Sequence, residues 1–353
     1  MDIAYLDAVK IFLPATLAFL VGIAITPIFS KYFYKWRMWR KYGRSQSVEG
    51  SANQVLTTND NAEMETPRLG GMIVWVSVYL TIGIIFLIFY IIPTPLTSKL
   101  EFLSRNQTFI PIATLLIGAL MGLIDDLLQI YPPKMLIGDP IYVRYIKIIL
   151  ISVLAFIVGW WLYTKLGIDS IHIPFDGTLY IGNLMIPFFV IITLGVFSTS
   201  VVDGVDGLSG GLLATVFAAF TGIAFFHSQI DLAAFCSVVV GAILAFLWFN
   251  IPPARFYMGE TGMMALTLTL STIAFLTDSV LLLPIIAFPL FITSLVAIIQ
   301  MASRKFFGKK VFRVALLHNY FELIGWSRAK ITMRYWIVGL ITATIGVVLG
   351  VIS

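Results

Sequence analysis

Long apolar runs separated by short polar segments dominate this chain. Most of the runs approach the roughly 20 residues that an α-helix needs to cross the hydrocarbon core of a bilayer. Gly and Pro inside the runs are tolerated, because neighbouring helices can satisfy the backbone groups that they free. The pattern predicts an all-α integral membrane protein with about ten transmembrane helices. The predicted spans lie near residues 9–30, 69–92, 108–124, 143–164, 183–200, 208–226, 232–249, 262–277, 280–302 and 332–352.

The composition agrees with a chain that faces lipid. Of 353 residues, 59% are hydrophobic and 12% are charged, whereas a soluble domain carries about 25% charged residues. Residues 168–182 alternate around a turn sequence, which indicates a short external β-hairpin. We interpret residues 1–353 as a single polytopic membrane domain. Its expected cytoplasmic active-site loops are residues 31–68, 125–142, 198–208, 250–262 and 303–331.

The basic residues indicate the orientation of the helices. If the segment after the first span is cytoplasmic, 19 of the 23 lysines and arginines lie on the inner side and four on the outer side. Cytoplasmic loops of membrane proteins carry such an excess. We therefore predict that both termini lie outside. The net charge of +5 then reflects topology and attraction to anionic membrane lipid or substrate, and it gives no indication of nucleic acid as a partner.

Acidic residues recur at the predicted cytoplasmic ends of the spans. Asp125 and Asp126 close the third apolar run, where two adjacent carboxylates need compensation of their charge. A hard divalent cation held by carboxylates and substrate phosphates is a usual compensation, although the pair alone is also compatible with simple capping of a span end. We expect the acids to converge on one aqueous face of an intramembrane enzyme that handles phosphates with a metal. The acids predicted on this face are Asp125, Asp126, Asp203, Asp206, Glu260 and Glu322.

Three further segments carry candidate chemistry. Residues 198–211 place two acids and four glycines between two spans, so that backbone N–H groups and carboxylates face water in a tight turn. Residues 250–262 combine aromatics with Glu260, so that a ring could stack on a base while the acid holds a metal. His318 and Glu322 are i,i+4 partners if helical, which suits pairing or phosphate contact. A plain interhelical turn and an interfacial aromatic belt are the alternatives for the first two segments.

Four motifs resemble those of the polyprenyl-phosphate N-acetylhexosamine-1-phosphate transferase superfamily. They are residues 121–126 (MGLIDD), 202–208 (VDGVDGL), 256–262 (FYMGETG) and 310–326 (KVFRVALLHNYFELIGW). The last motif is similar specifically to the phospho-N-acetylmuramoyl-pentapeptide transferase branch. Residues 66–71 (TPRLGG) also resemble the segment that opens the second span of the superfamily. The resemblance covers nearly the whole chain, in motif order and in span count.

The resemblance implies a Mg²⁺-dependent reaction on the cytoplasmic face of the bacterial cytoplasmic membrane. The phosphate of undecaprenyl phosphate attacks the β-phosphate of a UDP-sugar, with UDP-MurNAc-pentapeptide favoured, to give UMP and a pyrophosphate-linked peptidoglycan precursor. A homodimer is left open. The candidate catalytic residues are Asp125, Asp126, Asp203 and His318, and the candidate metal ligands are Glu260 and Asp125. The candidate substrate-binding residues are Gly204, Val205, Asp206, Asn250, Tyr257, Arg68 and Glu322.

The chain departs from the pattern of this superfamily at metal and substrate positions. Glu260 replaces the usual aspartate, Met263 a serine and Arg68 a threonine. An asparagine pair and two of three loop histidines are also replaced, by Phe197, Ser200, Asn319 and Tyr320. Two alternatives therefore stay open. One is a sister enzyme that transfers a simpler N-acetylhexosamine phosphate for another glycan, and the other is a lipid or nucleotide binder without catalysis.

Overall fold

The computed structural model describes residues 3–39, 66–92, 101–103, 107–131 and 140–353. These residues form twelve α-helices and one two-stranded antiparallel sheet. Ten helical segments among them are long and apolar enough to cross a membrane, which confirms the predicted all-α membrane protein. The helices are α1 (Ile3–Lys35), α2 (Gly71–Ile91), α3 (Phe109–Ile130), α4 (Pro140–Leu166), α5 (Met185–Ser198), α6 (Leu208–Phe226), α7 (Ile230–Asn250), α8 (Gly259–Leu276), α9 (Leu283–Ile286), α10 (Phe288–Phe307), α11 (Leu317–Leu323) and α12 (Arg328–Ile352).

The predicted β-hairpin is present. Strand β1 (Ser170–Ile173) pairs with β2 (Gly177–Tyr180), with Ser170 opposite Tyr180. Short 3-10 segments precede α5 and α9 and follow α5. Residues 40–65 and 132–139, which belong to two of the predicted active-site loops, lie outside the described residues.

Almost all residues of helix α8 are buried, which shows that it lies at the centre of the described helices. It packs most extensively against α3, while α1 and α6 pack against α7, and α12 packs against α6. The hydroxyls of Thr267, Thr269 and Ser271 donate to carbonyls one turn earlier in α8, at 2.6, 2.7 and 3.0 Å. These polar residues are therefore satisfied inside the protein, as buried groups in a membrane require.

Two glycine contacts bring neighbouring helices against the first turn of α8. A Cβ at Gly122 of α3 would overlap the carbonyl oxygen of Glu260, and a Cβ at Gly71 of α2 would overlap the backbone of Gly262. Small residues let the backbones of membrane helices approach closely. The approach of α3 to the start of α8 places Asp125 and Asp126 beside Glu260.

Several helix ends differ from the predicted bounds, and three of the differences concern the acids or divide a predicted span. Helix α3 continues to Ile130, so Asp125 and Asp126 lie within it instead of following it. Helix α8 begins at Gly259, which places Glu260 in its first turn instead of in a loop. The predicted span 280–302 is broken ahead of Phe288 and then runs on to Phe307. Prolines at the first turns of α9 and α10 explain the break, because they suit a helix start and lack an N–H for an earlier turn.

Candidate active site

The N-terminus of α8 receives carboxylates from two other parts of the chain. Asp126 of α3 accepts hydrogen bonds from the backbone N–H of Glu260 at 3.1 Å and of Thr261 at 2.8 Å. Asp203 accepts one from the N–H of Gly259 at 3.0 Å. The first N–H groups of a helix lack partners within it and carry partial positive charge. The two aspartates therefore cap the N-terminus of α8, in addition to any role in chemistry.

Gly259 makes this arrangement sterically feasible. Its φ of +69° lies in the left-handed region, which glycine adopts without the strain that a Cβ would bring. A Cβ here would also overlap the carbonyl oxygen of Arg68 and lie 2.6 Å from Oδ2 of Asp126. No larger residue could bring the three segments together at this point.

Lys147 of α4 bridges the two predicted metal ligands. Its Nζ donates to Oδ2 of Asp125 at 2.8 Å and to Oε1 of Glu260 at 2.9 Å. Asp125 Oδ2 also accepts from Nε2 of Gln129 at 2.6 Å. The lysine side chain is only 16% exposed. Helices α3, α4 and α8 are thus joined by one partly buried ion-pair network.

Arg68 compensates the remaining carboxylate. Its guanidinium lies 3.9 Å from Oδ2 of Asp203, and both side chains are buried. Ser209 donates to the other oxygen of Asp203 at 3.0 Å. We call Asp125, Asp126, Asp203 and Glu260, together with Arg68 and Lys147, the acid centre. Formally it holds four negative and two positive charges, an excess that one divalent cation would balance.

The acids are more buried than predicted. Asp125, Asp126 and Asp203 are 8%, 1% and 5% exposed, so the expectation of a wet face was wrong for these three. Burial of a carboxylate is costly unless it is paired and hydrogen-bonded. The N-terminus of α8 and the two cations supply these partners, which explains how the acids persist inside the protein.

A second cluster surrounds Asp206, half-buried in the turn before α6. Its carboxylate accepts hydrogen bonds from the N–H of Ala254 at 3.1 Å and from the hydroxyl of Tyr257 at 3.2 Å. Its carbonyl accepts one from Thr332 at 2.9 Å. The structure therefore brings together the turn that precedes α6, the segment that precedes α8 and the start of α12.

Asn250 links the same segments. Its Oδ1 accepts from the N–H of Gly207 at 3.1 Å, and its Nδ2 donates to the carbonyl of Phe256 at 2.8 Å. The side chain is 1% exposed, so both bonds stabilise the turn and the loop. Gly204 and buried Val205 lie in this turn. Contact of any of these residues with a substrate stays a prediction.

His318 and Glu322 lie on another element. Helix α11 packs chiefly against α10 and α12, whereas the acid centre is built from α3, α4, α8 and the loops before α2 and α6. His318 is buried, and Glu322 Oε1 forms an ion pair with Arg328 Nε at 3.1 Å. The ring of Phe321 stacks on Trp326, with centroids 4.6 Å apart. The catalytic role of His318 stays a prediction.

Lys147 and Gln129 are absent from the site residues predicted from sequence. The sequence does carry a signal for Lys147, because an ionisable residue inside a predicted span is a functional candidate by default. Its pairing with Asp125 and Glu260 depends on the packing of three helices. Ser209 carries no comparable signal, since a serine near a helix start is common as a cap.

Asp125 and Glu260 are compatible with a divalent cation that takes few ligands from the protein. Within the part of the chain that the structure describes, no three His, Cys, Asp or Glu side chains are arranged to hold a metal. Mg²⁺ is usually bound by only one or two protein carboxylates, with phosphates and water completing its shell. Oδ2 of Asp125 and Oε1 of Glu260 already share one cation, the ammonium of Lys147. Glu260 Oε2 is buried and has no hydrogen-bond partner among the described residues, which fits an additional oxygen ligand for a cation.

The fold and the acid centre define a multi-pass membrane protein with a charge-compensated acidic site at a helix N-terminus. The family model described as glycosyl transferase family 4 matches residues 108–278, which include all four acids of this centre. The chain is 32% identical to a phospho-N-acetylmuramoyl-pentapeptide-transferase of Bacillus cytotoxicus, over 96% of this chain and 97% of the relative. It is 33% identical to a protein of the same name from Geobacillus thermodenitrificans, over 94% and 96%. The chain therefore belongs to the phospho-N-acetylmuramoyl-pentapeptide transferase family.

Proposed function

We propose that the chain transfers phospho-N-acetylmuramoyl-pentapeptide from its UDP-linked donor to undecaprenyl phosphate. A phosphate oxygen of the carrier lipid attacks the β-phosphorus of the donor. The new bond joins that oxygen to the β-phosphorus, and the bond from the β-phosphorus to the bridging oxygen breaks. UMP leaves with that oxygen, and the product is a pyrophosphate-linked lipid. The full-length similarity to relatives of this name is the observation that carries the proposal.

The acid centre supports a reaction between two phosphates. Phosphoryl transfer depends mainly on positioning and on neutralisation of charge. We assign Asp125 and Glu260 as ligands of Mg²⁺, which when bound neutralises charge on the diphosphate oxygens. Among the described residues, Arg68 places a positive charge beside Asp203, and Lys147 places one beside Asp125 and Glu260. They can attract phosphate oxygens to the centre.

Asp126 and Asp203 act mainly as positioning residues in this proposal. By capping α8, they fix the first turn of that helix and with it the backbone of Glu260. The cluster of Asp206, Asn250 and Tyr257 is the proposed uridine site. It adjoins the acid centre along the chain, because residues 257–260 connect the two. The donor would then span both clusters.

We place the reaction at the cytoplasmic face of the bacterial cytoplasmic membrane. UDP-linked donors are polar and approach from the aqueous side, whereas the polyprenyl chain of the acceptor lies in lipid. The excess of basic residues beside the predicted inner ends of the spans supports this orientation. His318, in the short helix α11 that precedes α12, is proposed as a further catalytic group.

Release of UMP tests the proposal directly. Purified protein would be incubated with undecaprenyl phosphate, Mg²⁺ and a panel of UDP-sugars that includes UDP-MurNAc-pentapeptide. We expect the pentapeptide donor to give the highest rate. Preference for a simple UDP-N-acetylhexosamine would favour the sister enzyme, and no release from any donor would contradict the proposal.

A matched pair of variants separates chemistry from general damage. Glu260→Gln removes a charge from the acid centre and should lower turnover by about 10²–10⁴-fold, because charge neutralisation is lost. Asp176→Asn removes a charge from the exposed hairpin turn and should leave turnover within about twofold. Equal rates for the two variants would contradict the assignment of Glu260.

A further inference from the structure

Lys147 pairs with one oxygen of each carboxylate to which the proposed function assigns Mg²⁺. Its ammonium lies within 2.9 Å of one oxygen of Asp125 and one of Glu260. These oxygens come from α3 and α8, whereas the lysine comes from α4. A divalent cation on the same two oxygens would lie within a few ångströms of the ammonium, and repulsion between the two positive charges would drive the ammonium away.

The energetics of this pairing are unusual for a lysine. An exposed ion pair contributes little, because water screens it. Here the three side chains are between 9% and 21% exposed, so screening is weak and separation of the charges is costly. The lysine therefore stabilises two carboxylates that would otherwise repel one another in the absence of a metal.

We propose that Lys147 is an internal competitor of the divalent cation and sets the affinity of the site for it. The inference rests on the proposed metal site, but not on the identity of the donor. Without a metal, the ammonium holds Asp125 and Glu260 together. When a divalent cation binds, the ammonium leaves the two oxygens. Part of the binding free energy of the metal is thus spent on breaking two ion pairs.

Binding of Mn²⁺ in the absence of donor and carrier lipid tests this competition. Mn²⁺ is used in place of Mg²⁺ because the concentration of free Mn²⁺ can be measured by electron paramagnetic resonance. The purified protein in detergent would be compared with Lys147→Gln, which keeps a hydrogen-bond donor but loses the charge. We expect the dissociation constant of Lys147→Gln to be at least about tenfold lower, since a positive charge beside the ion is removed.

Two further variants control for charge and for folding. Lys165→Gln changes an exposed lysine at the other end of α4 and should bind Mn²⁺ like the parent. Lys147→Arg keeps the charge and pairs with carboxylates through a rigid fork, so its dissociation constant should be equal to that of the parent or higher. This variant decides the question if Lys147→Gln does not fold.

The competition would be contradicted if Lys147→Gln bound Mn²⁺ as weakly as the parent, more weakly or not at all. Tighter Mn²⁺ binding by Lys147→Arg would also contradict it. A parent that releases no UMP but shows the expected order of dissociation constants would contradict only the proposed function. An active parent without that order would contradict only the competition.

Discussion

Asp126 offers a test of whether the aspartate pair has one role or two. It is 1% exposed, and each of its oxygens accepts a hydrogen bond from the first turn of α8. Asp126→Asn removes the charge and replaces one acceptor by an NH₂ group that faces an N–H donor. Asp125→Asn keeps an oxygen that can still accept from Lys147 or Gln129. We therefore expect Asp126→Asn to destabilise the fold more than Asp125→Asn.

The structure gives a magnitude for this difference. Loss of a buried hydrogen bond to a charged acceptor costs about 1.5–3 kcal/mol. Loss of a negative charge at a buried helix N-terminus adds up to about 2 kcal/mol. We expect Asp126→Asn to lower the free energy of unfolding by about 2–4 kcal/mol. Asp125→Asn should lower it by about 1 kcal/mol, because an uncharged acceptor replaces a charged one and the hydrogen bond is kept.

The chain contains its own reporter of unfolding. Cys236 is its one cysteine, and it is fully buried in α7. A dye that fluoresces on reaction with thiols should label it only after the helices separate. For a large domain, each kcal/mol lost lowers the midpoint of thermal unfolding by about 2 °C. Asp126→Asn should therefore lower that midpoint by about 4–8 °C. Asp125→Asn should lower it by about 2 °C.

Equal unfolding midpoints for the two variants would contradict a structural role for Asp126. The same conclusion would follow if Asp126→Asn had the same unfolding midpoint as the parent protein. In either case the bonds of Asp126 to α8 would contribute little, and its role would be limited to chemistry. Turnover of both variants should be measured in the same preparations, so that loss of fold and loss of activity are distinguished.

Four further experiments have expected outcomes. Glu260→Asp should weaken Mn²⁺ binding, because the shorter side chain withdraws its carboxylate; binding as tight as the parent's would contradict this. Gly122→Ala should lower the unfolding midpoint, since its Cβ would overlap the carbonyl oxygen of Glu260. An unchanged midpoint would mean that α3 and α8 can move apart enough to admit a methyl group without loss of stability. Asn250→Ala should cost about 2–3 kcal/mol of unfolding free energy through two lost buried hydrogen bonds, and a loss below about 0.5 kcal/mol would contradict that. Ala315→Cys should react with a membrane-impermeant thiol reagent only from the cytoplasm and Asp169→Cys only from outside, and the reverse pattern would refute the orientation.

Much of the acid centre was accessible from sequence because intramembrane charges are rare. Asp125, Asp203 and Glu260 stand out from apolar surroundings, and charge of this kind must be compensated. The structure does bring these acids together. Lys147 was overlooked because its partners lie 22 and 113 residues away along the chain. Only the packing of α4 against the other helices makes it part of the site.

The helix boundaries near the site could not be predicted for a similar reason. A pair of charges ordinarily ends an apolar run, so the third span was predicted to stop before Asp125. In the structure, the free N–H groups of α8 compensate Asp126, and α3 continues for another turn. Hydropathy describes the preference of each residue for lipid or water, and it contains no information on such a partner.

The membrane location, the apolar helices and the hairpin could be predicted from the sequence alone, because the lengths of apolar runs and the alternation of strands are local properties. The sequence also indicated which acids needed an explanation. The groups that compensate their charge are known only from the packing of the helices: the N-terminus of α8 for Asp126 and Asp203, Lys147 for Asp125 and Glu260, and Arg68 for Asp203 as well. Charges compensate one another through space over a few ångströms, and these segments are too far apart along the chain for the sequence to indicate that they are in contact.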